Sequence, residues 1–195
     1  MPAVEPRSKR GPTAGATREQ VVELARAHFL QCRRVDMRAI AAECGVGRGT
    51  LYRWFGSREQ LLGEAMLGVV EPRVVGARAH IGGQGAAALL DTFDLVYRGL
   101  AAAPHVRALI ERERETALAV ITSSSGPVHP RMVELTQALI EAEVERGGYW
   151  PPADPPTLAY VLVRLAEGLL FNYADDDMPK DLERMREILA ALLGA

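Results

Sequence analysis

Apolar residues recur at helical spacing along nearly the whole chain, and no run of strict apolar–polar alternation lies between hairpin turns. The pattern predicts an all-α fold. Thr17 stands as an N-cap with Gln20 as its capping-box partner, ahead of Val21, Leu24, Ala25, His28 and Phe29 on one face. Asp36 caps a short second helix whose inner face is Met37, Ile40, Ala41 and Cys44. Gly45-Val46-Gly47 interrupts it, and a third helix runs to about Phe55. Ser57 and Gln60 form a second capping box, opening a long helix that turns Leu61, Leu62, Ala65, Met66, Val69 and Val70 inward.

Gly82-Gly83-Gln84-Gly85 breaks the pattern and puts a module boundary near residues 78–85. Beyond it, Leu89, Leu90, Phe93, Tyr97 and Leu100 share a helical face. Pro104 suits a helix start, and one charged helix is expected over about 106–121. The serine-rich stretch 123–127 reads as a loop. A helix over 132–146 ends at Gly147, and the prolines of 151–156 are expected to bar helix until Thr157. Two apolar helices follow, over 157–173 and 181–193, separated by Asp175-Asp176-Asp177-Met178-Pro179.

Chemistry concentrates in residues 36–62, DMRAIAAECGVGRGTLYRWFGSREQLL. Two short helices flank a tight turn entered by Gly45, which suits the positive φ that ends a helix abruptly. Val46, Leu51 and Phe55 can pack back on Ile40, Ala41 and Phe29, as a helix-turn-helix requires. The outward side of the second short helix then carries Arg48, Thr50, Tyr52 and Arg53. Arginine reads guanine edges with two donors, while hydroxyls and backbone N–H groups hold phosphates, so this face suits a major groove.

In these residues the chain resembles the N-terminal DNA-binding domain of TetR-family transcriptional regulators. The match runs through Ala25 and Phe29, Ile40-Ala41, Gly45-Val46, Gly49-Thr50-Leu51-Tyr52, Trp54-Phe55 and Ser57-Arg58-Glu59-Gln60-Leu61, in order and at the right spacing over about 17–65. The resemblance implies base readout by Arg48 and Arg53. It implies phosphate contacts from Thr50, Tyr52 and Arg58, with Gly47 and Gly49 beside them. It also implies that Arg38 touches backbone or base. Trp54 either lies on the sugar–phosphate backbone or packs at the edge of the module. Gly47 departs from the family's usual Ser or Thr, and Gln31-Cys32-Arg33-Arg34-Val35 lacks the family's usual Gly after the first helix.

The same resemblance implies the architecture. Residues 1–15 form a flexible basic arm, 16–62 the helix-turn-helix domain and 63–195 a helical regulatory and dimerisation domain. Helices over about 130–146 and 157–173 are expected to pair with a second copy, Gly168 permitting close approach. The ligand pocket is assigned to Phe93, Tyr97, Tyr160 and Phe171. Few charges interrupt 89–103 and 158–171, which favours an apolar effector. Residues 48–62 are also similar to a QsdR-type branch, associated with control of a quorum-quenching lactonase, which implies an acyl-chain or lactone effector. The expected function is that of a repressor released by effector from a pseudo-palindromic DNA operator. The alternatives are a constitutive architectural DNA-binding protein and a small helical enzyme using the C-terminal cavity.

Charge agrees with one end meeting a polyanion. The chain has 195 residues and a net charge of −2, yet residues 1–60 hold 11 Lys and Arg against 6 Asp and Glu, and the rest hold 12 against 19. Arg7, Lys9 and Arg10 add to the basic end without the apolar stretch of a secretory signal, and no apolar run reaches a membrane span, so a cytoplasmic protein without membrane partners is expected. Cys32 and Cys44 are too few for a disulfide framework and read as packing residues. His28, His80, His105 and His129 show no metal-ligand spacing, so no metal, cofactor or catalytic residue is assigned. His28 reads as a satisfied histidine at the edge of the core.

Overall fold

The computed structural model describes residues 15–171 and 178–195. The basic arm with Arg7, Lys9 and Arg10, and the Asp175-Asp176-Asp177 segment, lie outside the described residues. Among those described there are ten helices and no strand: α1 (Arg18–Leu30), α2 (Met37–Cys44), α3 (Arg48–Phe55), α4 (Arg58–His80), α5 (Gly85–Ala101), α6 (Pro104–Arg112), α7 (Arg114–Thr122), α8 (Val128–Glu145), α9 (Pro155–Phe171) and α10 (Met178–Leu193).

Local chemistry sets the helix starts. The Thr17 hydroxyl accepts the Gln20 N–H, and the Gln20 side chain returns to accept the Thr17 N–H at 2.8 Å. The Asp36 carboxylate accepts the N–H groups of Arg38 and Ala39 at 2.9 and 3.0 Å. Those backbone donors, Ala39 foremost, hold its carboxyl below the usual range. Ser57 caps α4 by accepting the Gln60 N–H, but the Gln60 amide reaches across to the Ser125 carbonyl at 3.4 Å instead of closing a box.

Four expected boundaries move, the last helix starting at Met178 rather than at 181. The charged helix over 106–121 is two helices, α6 and α7, because Glu113 leaves the helical region at φ −141, ψ 50. The helix expected at 132 starts at Val128, with Pro130 inside its first turn. The helix expected at Thr157 starts at Pro155. Prolines fit there because first-turn N–H groups have no helical partner, and Asp154 accepts the Thr157 N–H at 3.1 Å.

Helices α1 to α3 pack around the start of α4, which at 23 residues, about 34 Å, carries the chain into the larger body and meets α5, α7 and α8. The body closes with α8 against α9 and α10 across α5 and α9. One core of buried apolar residues runs through both parts, from Val21 to Leu193. Gly63 allows α4 to meet the 123–127 loop, since a Cβ there would sit 2.5 Å from the Pro127 ring. At its far end, Arg78 donates from Nε to the buried Glu143 at 3.0 Å, and the other Glu143 oxygen accepts the Gly85 N–H at 2.8 Å. No helix of the described residues is long and apolar enough to cross a membrane.

Candidate DNA interface and ligand cavity

The turn between α2 and α3 depends on Gly45, which adopts φ 63, ψ 29. There the Gly45 and Val46 N–H groups reach back to the carbonyls of Ala42 and Ala41 at 3.3 and 3.0 Å, completing the last turn of α2. An L-residue in this conformation would cost about 1–2 kcal/mol. The turn directs Leu51 and Phe55 into the core and leaves Arg48, Gly49, Tyr52 and Arg53 exposed, with Thr50 half-buried. Arg38 is exposed on α2. The side chains of Arg38, Arg48 and Arg53 have no hydrogen bond or ion pair among the described residues.

Gly47 is the N-cap of α3 and offers no side chain to it, so the first N–H groups of α3 carry no side-chain cap. Uncapped N–H groups at a helix start suit a phosphate oxygen. Trp54 is half-buried and edge-on to Phe55, with ring centroids 6.3 Å apart, which is the module-edge arrangement. His28 is buried, with Nε2 at 3.1 Å from Glu43, while its Nδ1 has no partner. The thiol of Cys44 is pushed up by burial against the core.

Arg58 is not presented like the other arginines. Its side chain is only 14% exposed and lies against the body, 2.7 Å from the Glu113 carboxylate, with Nε donating to the Val35 carbonyl. Its guanidinium is therefore engaged within the fold rather than offered to a phosphate. Around it lies a cleft of about 330 Å³ between the 32–35 link and α6, with Phe29 edge-on to His105 at 4.9 Å on one wall. Arg112 closes another side by donating to the Cys32 carbonyl at 3.1 Å. Cys32 takes φ 56, so the chain makes the left-handed turn after α1 without the glycine.

The body holds an apolar cavity of about 70 Å³. Phe93 and Tyr97 of α5 line it, facing Val163 and Leu170 of α9. The Tyr97 hydroxyl donates to the Leu162 carbonyl at 3.3 Å, and burial pushes its phenol well above the ordinary value. Tyr160 and Phe171 do not line it. Tyr160 is 49% exposed on the outside of α9, edge-on to His129 and beneath Arg164. Phe171 ends α9 under the Arg114 guanidinium, 5.8 Å from its ring centre. Helical spacing explains the difference: Tyr160 and Arg164 lie one turn apart on the outer face, whereas Val163, Glu167 and Leu170 follow the inner one. Two polar lining residues escaped the sequence reading, Thr136 and Glu167. Glu167 left a signal, being the single carboxylate within the apolar run 158–171.

Residues 84–194 match the tetracyclin repressor-like C-terminal domain, and residues 32–65 match the bacterial regulatory proteins of the tetR family. The structure of the TetR-family transcriptional repressor QsdR from R. erythropolis superposes with a TM-score of 0.83 at 28% identity, covering 91% of this chain and 94% of that one. The TetR-family repressor AlkX from Dietzia sp. strain DQ12-45-1b shares the fold, with a TM-score of 0.64 at 22% identity over 94% of this chain and 99% of that one. A TetR-family regulator from Pectobacterium atrosepticum does so at 0.58 and 22%, over 91% and 96%. No curated protein matches the chain. The chain thus belongs to the TetR family of transcriptional regulators, DNA-binding proteins built wholly of helices.

Proposed function

We propose that this chain is a homodimeric repressor released from a pseudo-palindromic operator by a small apolar effector. Residues 16–62 hold the DNA, 63–195 bind the effector and the second copy, and the basic arm 1–15 adds phosphate contacts. Arg48 and Arg53 read bases, Thr50, Tyr52 and the N–H groups at Gly47 and Gly49 hold phosphate, and Arg38 supports them. The protein works in the cytoplasm. The repressor sense is supported by QsdR, itself a transcriptional repressor.

The observation that carries the reading is a tight apolar cavity in the body of a protein whose exposed arginines face outward on α2 and α3. At about 10–15 Å³ for each water-sized group, 70 Å³ holds about five to seven such groups. An acyl chain or lactone of that size enters as the cavity stands. A longer chain must part α5 from α8 and α9, so it binds an expanded body better than this one. That differential affinity is what an effector needs, because equal affinity for both states shifts nothing. A tenfold loss of operator affinity takes about 1.4 kcal/mol of such preference. Each CH₂ removed from water supplies about 0.8 kcal/mol.

The test has two arms. DNA selected from random sequence should show paired half-sites and be bound far more tightly than unselected DNA, with steep salt dependence. Equal binding to both pools defeats the regulator reading. Alkyl compounds of increasing chain length, titrated into the protein–operator complex, should release DNA with a potency that rises with length. A flat series leaves the constitutive architectural alternative.

A further inference from the structure

The apolar cavity has one polar corner, where Thr136 of α8 and Glu167 of α9 meet it. Both are more than nine-tenths buried, at 4% and 6% exposure. The Thr136 hydroxyl has no hydrogen-bond partner among the described residues. Two other helical threonines turn back on the preceding turn: Thr92 donates to Ala88 at 2.6 Å and Thr122 to Leu118 at 2.9 Å. Thr136 leaves that bond unmade, so its hydroxyl keeps both its proton and its lone pairs for another partner.

Glu167 is held from behind. Its Oε1 lies 2.7 Å from His129 Nδ1, and its Oε2 accepts from Arg164 Nη1 at 2.8 Å. Neither His129 nor Arg164 lines the cavity. Each oxygen takes one of these contacts and keeps a further acceptor site. The corner therefore presents a fixed carboxylate, a free hydroxyl and no cationic side chain.

We infer that the effector bears an uncharged, hydrogen-bond-donating head, an amide or a hydroxyl, on its apolar tail. This rests on the reading above that the cavity is the effector site. The head donates an N–H or O–H to Glu167, and its oxygen accepts the Thr136 hydroxyl proton. A carboxylate head meets the Glu167 carboxylate in an apolar surround, and the Arg164 guanidinium is already paired with Glu167, which opposes binding. An ester or lactone only accepts, so it can use Thr136 and leaves Glu167 unanswered.

The experiment uses four probes with tails of similar length: hexanamide, 1-hexanol, methyl pentanoate and hexanoate. Each is titrated into the full-length protein, with thermal stabilisation and release of a selected operator read in parallel. Hexanamide and 1-hexanol should bind at least about tenfold more tightly than hexanoate, with the ester between. Glu167→Gln should narrow the gap between hexanoate and hexanamide to about threefold or less. Thr136→Val, which keeps the volume, should weaken hexanamide by about tenfold while a longer tail still tightens binding. Equal affinity for hexanoate and hexanamide in the unaltered protein overturns the inference, as does an unchanged ranking of heads in both variants. If no head on any tail length moves either signal, the cavity reading itself fails and takes this inference with it.

Discussion

The Arg58 guanidinium stands 2.7 Å from the Glu113 carboxylate and, through Nε, holds the Val35 carbonyl. One side chain at the start of α4 thus joins the link between α1 and α2 to the break between α6 and α7. Arg34 reaches the same carboxylate at 3.3 Å. A shift of α6 relative to α4 must stretch these contacts or carry the 32–35 link with it. These polar contacts, beside the Phe29–His105 ring contact, join the link after α1 to the body.

Arg58→Ala leaves Glu113 and the Val35 carbonyl without this partner in a half-buried cleft. It should cost about 1–3 kcal/mol of stability. A phosphate-binding arginine has another signature: its removal lowers the slope of log affinity against log salt by about one. Arg58→Ala should lower the melting temperature and leave that slope unchanged, which thermal denaturation and salt-dependent gel shifts together would check. A reduced slope with full stability would assign the residue to DNA.

Arg48 and Arg53 have no internal partner, so removing either leaves the fold intact. Arg48→Ala should cost about 1–3 kcal/mol of operator affinity and relax preference at one position of each half-site. Arg38→Ala, if its contact is to the backbone, should weaken selected and unselected DNA alike. Selection of bound sequences with each variant separates the two roles.

Acid should loosen the joint between α4 and α8. Burial works to raise the Glu143 carboxyl, but donors from Arg78 and the Gly85 N–H outweigh it and hold the group below its ordinary value of 4.5. A carboxyl lowered on folding contributes stability above the unfolded value and loses it as pH falls through the folded one. Stability should therefore decline below about pH 4.5. Glu143→Ala should remove this part of the decline and cost about 3 kcal/mol at neutral pH, because it leaves the Arg78 charge, 13% exposed, without a carboxylate. Denaturant melts across pH 3–7 would measure both effects; an unchanged acid slope in the variant would refute the assignment.

Dimerisation can be probed without harming the monomer. Leu165, midway along α9, is half-buried against its own core, so a charge there damages the fold itself. Gly168 is exposed, and a Cβ there meets nothing within 4 Å in the chain. Gly168→Glu should keep the melting profile of the monomer while shifting sedimentation from dimer to monomer and weakening operator binding. A dimer unaffected by the charge would move the interface away from this face of α9.

Local interactions explain what was legible in the chain alone. Thr17, Asp36 and Ser57 cap helices with atoms two or three residues away, and Gly45 ends α2 through its own backbone. Such features depend on neighbours in sequence, so the helix-turn-helix and its outward arginines could be read directly. The first-turn prolines of α8 and α9 were also local, but they permit a helix as well as a loop, and only packing chose between them. The break at Glu113, the cavity face of α9 and the fate of Arg58 were decided at longer range. Arg58 lies 55 positions from Glu113, and nothing near it in the chain distinguishes it from Arg53. Burial beside a distant carboxylate assigned one arginine to the fold, and its absence left the others to face outward.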